Sequence, residues 1–192
     1  AWITKYDSSI NKTVYSAKQI PVLINYSENG IKLNKNIDSN DIALIEKIEN
    51  SNSPYWFPSE RMMDGDETRR NDPIGLTHVH HFYTKRSLYV LSALLNKTSL
   101  IQNEITRSFC RFLFQQWAIG LSKLNRYSPT HFSQNNRNLS GTLYIGSRIS
   151  EVSPNYAFSK KIKRLVKAFS VLKKRIFSIS TQDTSNMDIQ VE

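Results

Sequence analysis

The segment between residues 51 and 83, SNSPYWFPSERMMDGDETRRNDPIGLTHVHHFY, most restricts how this chain can fold. Its X-Pro steps, its two glycines and its run of charges argue against one continuous helix or strand. A stretch this long without regular structure is uncommon inside a compact domain and is usually functional. The regular elements must therefore lie on either side of it. We expect Tyr55, Trp56 and Phe57 to anchor the segment to the core.

Before this segment, the pattern predicts a β-hairpin and then a helix. Apolar residues alternate within QIPVLINYSENGIKLNK (residues 19–35), and Asn29-Gly30 suits a tight turn that requires positive φ. DSNDIALIEKIEN predicts a helix that begins at Asp38 or Ser39 as its cap. Residues 1–18 are polar and give little signal.

After the segment, apolar residues recur at helical spacing in three stretches. The first helix begins near Thr84 and is apolar nearly all round, which predicts burial; the second runs over about residues 100–124. TLYIGSRI (residues 142–149) predicts a strand, and a third long helix spans about residues 155–176. The expected fold is α+β and mostly helical, with an N-terminal β-hairpin, three to four helices, a long central loop and one late strand.

The chain reads as a single module of 192 residues excised from a larger protein, because it begins without methionine and ends without a terminating element. Within it we expect a hairpin region (1–36), a helical region (37–125) that contains the loop 51–83, and a region of polar loop, strand and basic helix (126–192). The sequence has no apolar window of about 18 residues, so we expect no membrane span and a cytoplasmic location.

The charge of the chain favours an anionic partner. Lysine and arginine number 26 against 16 acidic residues, which gives a net charge of +10. Nucleic acid is the first candidate and an acidic membrane surface the second. The third predicted helix is the strongest basic element, since its cations face no acidic residue and could follow phosphates. The alternative is a solvated helix face. Its basic residues are Lys160, Lys161, Lys163, Arg164, Lys167, Lys173, Lys174 and Arg175.

Other side chains suited to DNA recognition lie in loops and at the start of a helix. Arginine reads guanine edges and amides read adenine, although polar loops have this composition without binding anything. The central segment is balanced in charge, so it would contact DNA only through selected residues. Besides Lys160, Lys161 and Arg164, the predicted contacts are Arg69, Arg70, His78, His80, Lys85, Arg86, Asn125, Arg126, Asn136 and Arg137.

Three of the four histidines cluster in THVHHFYTKRS (residues 77–87). In an extended segment His78 and His80 would share a side and His81 would face away. A metal site would need a third or fourth ligand, for which nearby carboxylates are candidates. A catalytic acid or base, hydrogen bonding to loop backbone, and contact with DNA or an adjoining domain are the other interpretations. The carboxylates near in sequence are Asp64, Asp66, Glu67 and Asp72.

The chain lacks the common motifs of a self-contained active site. Its single cysteine, Cys110, excludes an internal disulfide and a cysteine-based zinc site. The sequence has no HExxH pattern, no phosphate-binding loop, no GxGxxG and no GxSxG. No residue is therefore assigned as catalytic or as a metal ligand.

Four blocks of the sequence resemble one family. They are AKQIPVLINYS (17–27), IEKIENSNSPYWFPSERMMDGDETRRNDPIGLTHVHHFYTKRSLYVLSALL (45–95), LNRYSPTHFSQNNRNLSGTLYIGS (124–147) and FSKKIKRLVKAF (158–169). Together they resemble a central segment of bacterial site-specific DNA methyltransferases that act on adenine N6 or cytosine N4. In that family the segment lies between a cofactor-binding motif and a DPPY or DPPF catalytic motif.

The resemblance implies a target-recognition role without catalysis. The family's cofactor, catalytic and zinc-binding residues have no counterpart in this chain, so the segment alone should bind DNA but not methylate it. The implied cofactor of the full-length enzyme is S-adenosylmethionine, with none held by this segment. The implied partners are double-stranded DNA, the catalytic domain of the same polypeptide and a restriction endonuclease. The rival interpretations are a free-standing basic nucleic-acid-binding module and, less favoured, a histidine-metal hydrolase.

Overall fold

The computed structural model describes residues 1–129 and 138–187, with side chains described up to residue 173. The described residues contain two antiparallel β-hairpins and five helices, which confirms the expected α+β, mostly helical class. The chain divides after Pro154 into two compact units. Among the described residues, none of the helices combines the length and the apolar character needed to cross a membrane.

Both hairpins lie near the N-terminus. Strands β3 (Leu23–Glu28) and β4 (Ile31–Asn36) form the predicted hairpin, and Asn29 and Gly30 adopt φ of 49° and 83° at its turn. Strands β1 (Trp2–Asp7) and β2 (Lys12–Ala17) form an earlier hairpin that the sequence did not predict. Helix α1 (Ser39–Glu49) follows β4. It begins at Asp38, whose side chain accepts a hydrogen bond from the Asp41 backbone N–H at 2.9 Å, as predicted.

The central segment is irregular, as predicted, and contains only short turns. These are the one-turn helix α2 (Asp66–Arg69) and two 3₁₀ turns, Asp72–Ile74 and Val79–Phe82. Gly75 has φ of 79°, and a Cβ atom there would lie 2.8 Å from Cα of Ser16 in β2. Only glycine allows this close approach, so the segment sits directly against the first hairpin.

Helices α3 (Lys85–Ser99) and α4 (Glu104–Ala118) follow the central segment, and α3 packs against both α1 and α4. Thr84 caps α3 as predicted, accepting from the Ser87 backbone N–H at 3.2 Å. The prediction that α3 is buried nearly all round is wrong, because Val90 is exposed while Leu88 and Leu91 are buried. The second predicted helix ends at Ala118 rather than near residue 124.

The predicted strand at residues 142–149 is also wrong. Described residues 138–153 contain no strand, and only an isolated bridge joins Ile149 to Arg126. Side chains from the central segment form hydrogen bonds with this backbone in place of a neighbouring strand. Asn71 Nδ2 donates to the Leu143 carbonyl at 3.1 Å, and the Leu143 N–H donates to Glu67 at 3.2 Å. The apolar residues still join the core, where Leu143 and Ile145 pack on a cluster of Leu76, Phe82 and Leu124.

Helix α5 (Pro154–Met187) is the main element of the second unit. It was predicted over about residues 155–176, and it continues for another 11 residues in the structure. At 34 residues it is about 51 Å long at 1.5 Å per residue.

Candidate functional site

Two histidines and an aspartate meet between the first hairpin and the central segment. The 3₁₀ turn Val79–Phe82 sets the rings of His80 and His81 side by side, with centroids 4.3 Å apart. Asp7, the last residue of β1, points one carboxylate oxygen at both rings. Its Oδ2 lies 2.7 Å from Nε2 of His80 and 2.9 Å from Nε2 of His81. A carboxylate only accepts hydrogen bonds, so both rings donate to it.

The prediction that His81 faces away from His78 and His80 is wrong. Extended geometry would have paired His78 with His80, but the 3₁₀ turn brings His80 and His81 together instead. His78 stands beside them with Nδ1 2.7 Å from Thr77 Oγ1. The carboxylate is also a residue that sequence reasoning missed, since Asp7 lies 73 positions before His80 in a stretch without clear signal. None of the acidic residues near the histidines in sequence joins the described cluster.

The backbone around His81 fixes the proton on its ring. Nδ1 of His81 lies 3.2 Å from the Thr77 backbone N and 3.4 Å from the His78 backbone N. Both groups are donors, so Nδ1 accepts and the neutral ring carries its proton on Nε2. Burial lowers the pKa of His81 to about 4 despite the hydrogen bond to Asp7. Near neutral pH the ring is therefore uncharged.

The Asp7 carboxylate is correspondingly held in its charged form. Burial alone would raise its pKa, but the hydrogen bonds from His80 and His81 outweigh burial and bring the pKa to about 2. The cluster thus contains a carboxylate that accepts from two rings, of which the His81 ring is neutral, in a site from which solvent is largely excluded. It ties β1 to the end of the central segment.

The same three side chains form a donor set for a metal ion. Their ligand atoms lie within 4.8 Å of one another, and two histidines with one carboxylate are a common ligand set for zinc or iron. The outer partners do not match that role. A metal-bound histidine normally donates its second ring N–H to an acceptor. Nδ1 of His81 faces two donors, and Nδ1 of His80 is buried with no hydrogen-bond partner among the described residues. The geometry therefore fits a structural hydrogen-bond network that joins β1 to the central segment better than it fits a metal centre.

Lys123 binds the backbone of the 3₁₀ turn that carries the two histidines. Its ammonium group donates to the His81 carbonyl at 2.8 Å, and its backbone N–H donates to the Phe82 carbonyl at 2.7 Å. Burial lowers the pKa of Lys123 to about 8, with nearby Glu49 opposing that shift. The turn after α4 is thereby fixed to the histidine turn.

The two arginines of the central segment that were predicted to contact DNA have different environments. Arg69 is enclosed by the segment itself: it donates to the Met62 carbonyl at 2.5 Å and to Asp72 at 3.1 Å. Arg70 has a side chain 60% exposed, with one ion pair to Glu67 at 2.9 Å. A structural role accounts for Arg69, whereas Arg70 stands where a ligand can reach it.

The predicted contacts at the start of α3 bind other parts of the protein. Lys85 donates to the Glu49 carbonyl at the end of α1 at 2.7 Å. Arg86 forms a bidentate salt bridge with Glu151, with its Nε 2.9 Å from Oε1 and its terminal nitrogen 2.6 Å from Oε2. These bonds join α3 to α1 and to the segment before α5.

The loop candidates are partly buried and partly outside the described residues. Asn125 is fully buried and donates to the Ser150 carbonyl at 2.9 Å, so it holds two loop segments together. Arg126 is half-buried and lies in the backbone bridge to Ile149. Asn136 and Arg137 lie outside the described residues, so their predicted contacts stay predictions.

Helix α5 carries the basic surface. Lys160 and Arg164 are exposed and Lys161 is half-buried. Eight of the 26 basic residues of the chain but only one of its 16 acidic residues lie in this helix, so it carries +7 of the net charge of +10. The one acidic residue is Asp183, beyond all eight cations. Lys160, Lys163, Arg164 and Lys167 lie on the side of the helix opposite Ile162 and Leu165, which gives that side one sign of charge.

No protein-family model, curated protein or solved structure matches this chain.

Proposed function

We propose that this chain binds double-stranded DNA through helix α5, as the central target-recognition segment of an S-adenosylmethionine-dependent site-specific DNA methyltransferase. The observation that carries the DNA-binding part is the concentration of +7 charge on one helix. The methyltransferase part is supported by the four sequence blocks alone. The segment supplies DNA contacts, while cofactor binding and methyl transfer belong to the catalytic domain of the same polypeptide.

The dimensions and charge of α5 suit a DNA backbone. Duplex DNA carries one negative charge per roughly 1.7 Å of axis, so a helix about 51 Å long can lie along many phosphates. Cations that neutralise phosphates release bound counterions, which makes the affinity depend strongly on salt. This contribution positions a protein on DNA but carries no sequence information. Helix α5 therefore accounts for affinity rather than for choice of site.

Sequence reading would come from side chains outside α5. Arg70 is the best placed of the described candidates, because its guanidinium group is exposed at the end of α2. An enzyme that extrudes a base from the duplex also needs protein contacts that hold the distorted DNA. A cytoplasmic location at the nucleoid and a partner restriction endonuclease follow from the proposal as expectations.

The DNA-binding part is tested with matched charge variants. Binding of a random-sequence duplex is followed by fluorescence anisotropy across a series of salt concentrations. Neutralising three exposed cations of α5 should weaken binding and reduce the slope of log affinity against log salt by about 2.7, or about 0.9 for each lost phosphate contact. The helix variant combines Lys160→Gln, Arg164→Gln and Lys167→Gln, and the control of equal charge combines Lys12→Gln, Lys18→Gln and Lys97→Gln at exposed positions elsewhere. Equal losses in both variants would show a dependence on net charge alone.

The methyltransferase part is tested by sequencing the coding region on both sides of this segment. A DPPY or DPPF motif shortly after Glu192 and a glycine-rich cofactor motif before Ala1 would support it. Coding sequence with neither motif would favour the free-standing nucleic-acid-binding module, which shares the salt-dependent binding of α5.

A further inference from the structure

The apolar residues of α5 follow a seven-residue repeat. Phe158, Ile162, Leu165, Phe169 and Leu172 are separated alternately by four and three positions, and the sequence continues the alternation through residues 176 and 179, both isoleucine. A period of 3.5 residues, sustained over more than three heptads, is the pattern of a coiled coil. A helix packed on an ordinary globular core follows a period of 3.6 and a broader stripe.

This stripe is substantially exposed within the chain. Three of the five residues, Ile162, Phe169 and Leu172, are 47%, 50% and 49% exposed, while Phe158 and Leu165 are half-buried. They lie on a helix that forms its own compact unit. Large apolar residues at regular heptad positions are buried when two or more helices wind around each other.

We propose that α5 pairs with α5 of a second copy of this chain as a two-stranded, parallel coiled coil. In the heptad notation abcdefg, Ile162 and Phe169 take position a, while Phe158, Leu165 and Leu172 take position d. A β-branched residue at a with leucine at d favours two strands over three or four. Within the residues whose side chains the structure describes, Ile162 with Leu165 meets this condition.

The charges beside the stripe permit pairing of identical helices. In a parallel pair, each g residue faces the next e residue of the other helix. Lys161 at g then faces Val166 at e, and Ala168 at g faces Lys173 at e, so no cation faces a cation. In an antiparallel pair g faces g, which brings Lys161 toward Arg175. Like charges would oppose that arrangement, so the parallel one is favoured.

The remaining cations fall on the outside of such a pair. Lys160 and Lys167 take position f, Lys163 takes b and Arg164 takes c, all away from the partner helix. A dimer would therefore present two basic surfaces to an anionic ligand. Self-association does not depend on DNA binding, and it is measured without DNA.

The test is sedimentation equilibrium of the full chain in the absence of nucleic acid. We expect a mass of twice 22.2 kDa. Two adjacent residues provide a matched pair of variants: Leu172 at d is 49% exposed, and Val171 at c is 45% exposed. Leu172→Glu should raise the dimer dissociation constant by about 100-fold or more, because two buried leucines are lost per dimer. Val171→Glu, with the same added charge, should leave it nearly unchanged.

Either of two results would overturn the proposal: a wild-type chain that stays monomeric at all soluble concentrations, or equal weakening by both variants. Orientation is tested in a Cys110→Ser background, where Leu165→Cys should form a disulfide-linked dimer when a mild thiol oxidant is added. A parallel pair brings the two copies of this d position together, while Val171→Cys is the outward-facing control. A dimer that fails to cross-link at residue 165 would exclude the parallel arrangement.

Discussion

Nε2 of His81 donates a hydrogen bond to Oδ2 of Asp7 across 2.9 Å, joining the end of the first strand to the end of the central segment. The same oxygen accepts from His80 at 2.7 Å. Two long-range contacts therefore converge on one largely buried atom. Much of the attachment between these parts of the protein should depend on that carboxylate.

Replacing Asp7 with asparagine should destabilise the protein. The amide oxygen can accept from both rings only if its Nδ2 takes the place of Oδ1, which now accepts from the Ser9 N–H at 2.9 Å. The negative charge that strengthens these bonds is also lost, so the substitution should cost about 1–3 kcal/mol. Urea unfolding followed by circular dichroism should show a fall of that size in the free energy of unfolding. Asp64→Asn is the control, since the Asp64 side chain is 97% exposed and lies 3.4 Å from Arg69. A comparable loss in both variants would show that the cluster has no special role.

The stability of the protein should fall as the solution is acidified from neutral pH. The folded pKa of His81 is about 4, below the ordinary 6.5, so its contribution is present above pH 6.5 and is lost as pH falls toward 4. Asp7, with a folded pKa of about 2 against 3.8, adds a second loss below pH 3.8. Urea midpoints measured between pH 7 and pH 4 check the first step. The variant His81→Gln should show a shallower dependence over that range, and an unchanged slope would contradict the assignment.

Added zinc should not stabilise the protein strongly at neutral pH. The proton on Nε2 of His81 would have to leave, and Nδ1 could not take it without giving up two backbone hydrogen bonds. Thermal unfolding with and without a small excess of Zn²⁺ measures the effect. A large rise in melting temperature that disappears in Asp7→Asn would instead support the histidine-metal interpretation.

Gly75 should tolerate alanine much less well than Gly141 does. Both residues have positive φ, 79° and 72°, so both substitutions carry the left-handed backbone cost of about 1–2 kcal/mol. Only at Gly75 does the added Cβ meet the backbone of Ser16, while nothing lies within 4 Å of one at Gly141. Gly75→Ala should lower the free energy of unfolding by about 1–3 kcal/mol more than Gly141→Ala. Equal effects would mean that the first hairpin can move away from the added Cβ atom without a loss in the free energy of unfolding.

Arg69 and Arg70 should separate stability from DNA binding, although they are adjacent in sequence. Arg69→Ala removes hydrogen bonds to the Met62 carbonyl and to Asp72, so it should lower the unfolding free energy by about 1–3 kcal/mol. Arg70→Ala loses one exposed ion pair and should change stability by less than about 1 kcal/mol. On the proposed function, Arg70→Ala weakens DNA affinity without unfolding the protein. If Arg69→Ala weakened DNA binding and Arg70→Ala did not, the assignment of Arg70 rather than Arg69 to DNA binding would be wrong.

Local signals in the sequence predicted the elements that depend on local interactions. The Asn29-Gly30 turn and the caps Asp38 and Thr84 each act within a few residues, and all three lie where they were expected. The strand predicted around Leu143 failed because a strand also needs a neighbour, and here side chains of Glu67 and Asn71 bind that backbone instead.

The histidine cluster could not be predicted from spacing for a related reason. The turn that pairs His80 with His81, rather than with His78, is a 3₁₀ turn that apolar periodicity does not reveal. The residue that completes the cluster, Asp7, lies more than 70 positions away. An aromatic and β-branched composition was the available signal for its hairpin, in which Trp2 stacks on Tyr15 at 5.1 Å.

The separation of Asp7 from its two donors has a consequence for synthesis on the ribosome. The carboxylate leaves the exit tunnel long before the rings do, so the first hairpin waits for its attachment while more than 70 further residues are translated. A fragment that starts after residue 18 never acquires that acceptor. Shortened versions that are to keep this attachment should therefore be cut from the other end, where α5 belongs to a separate unit.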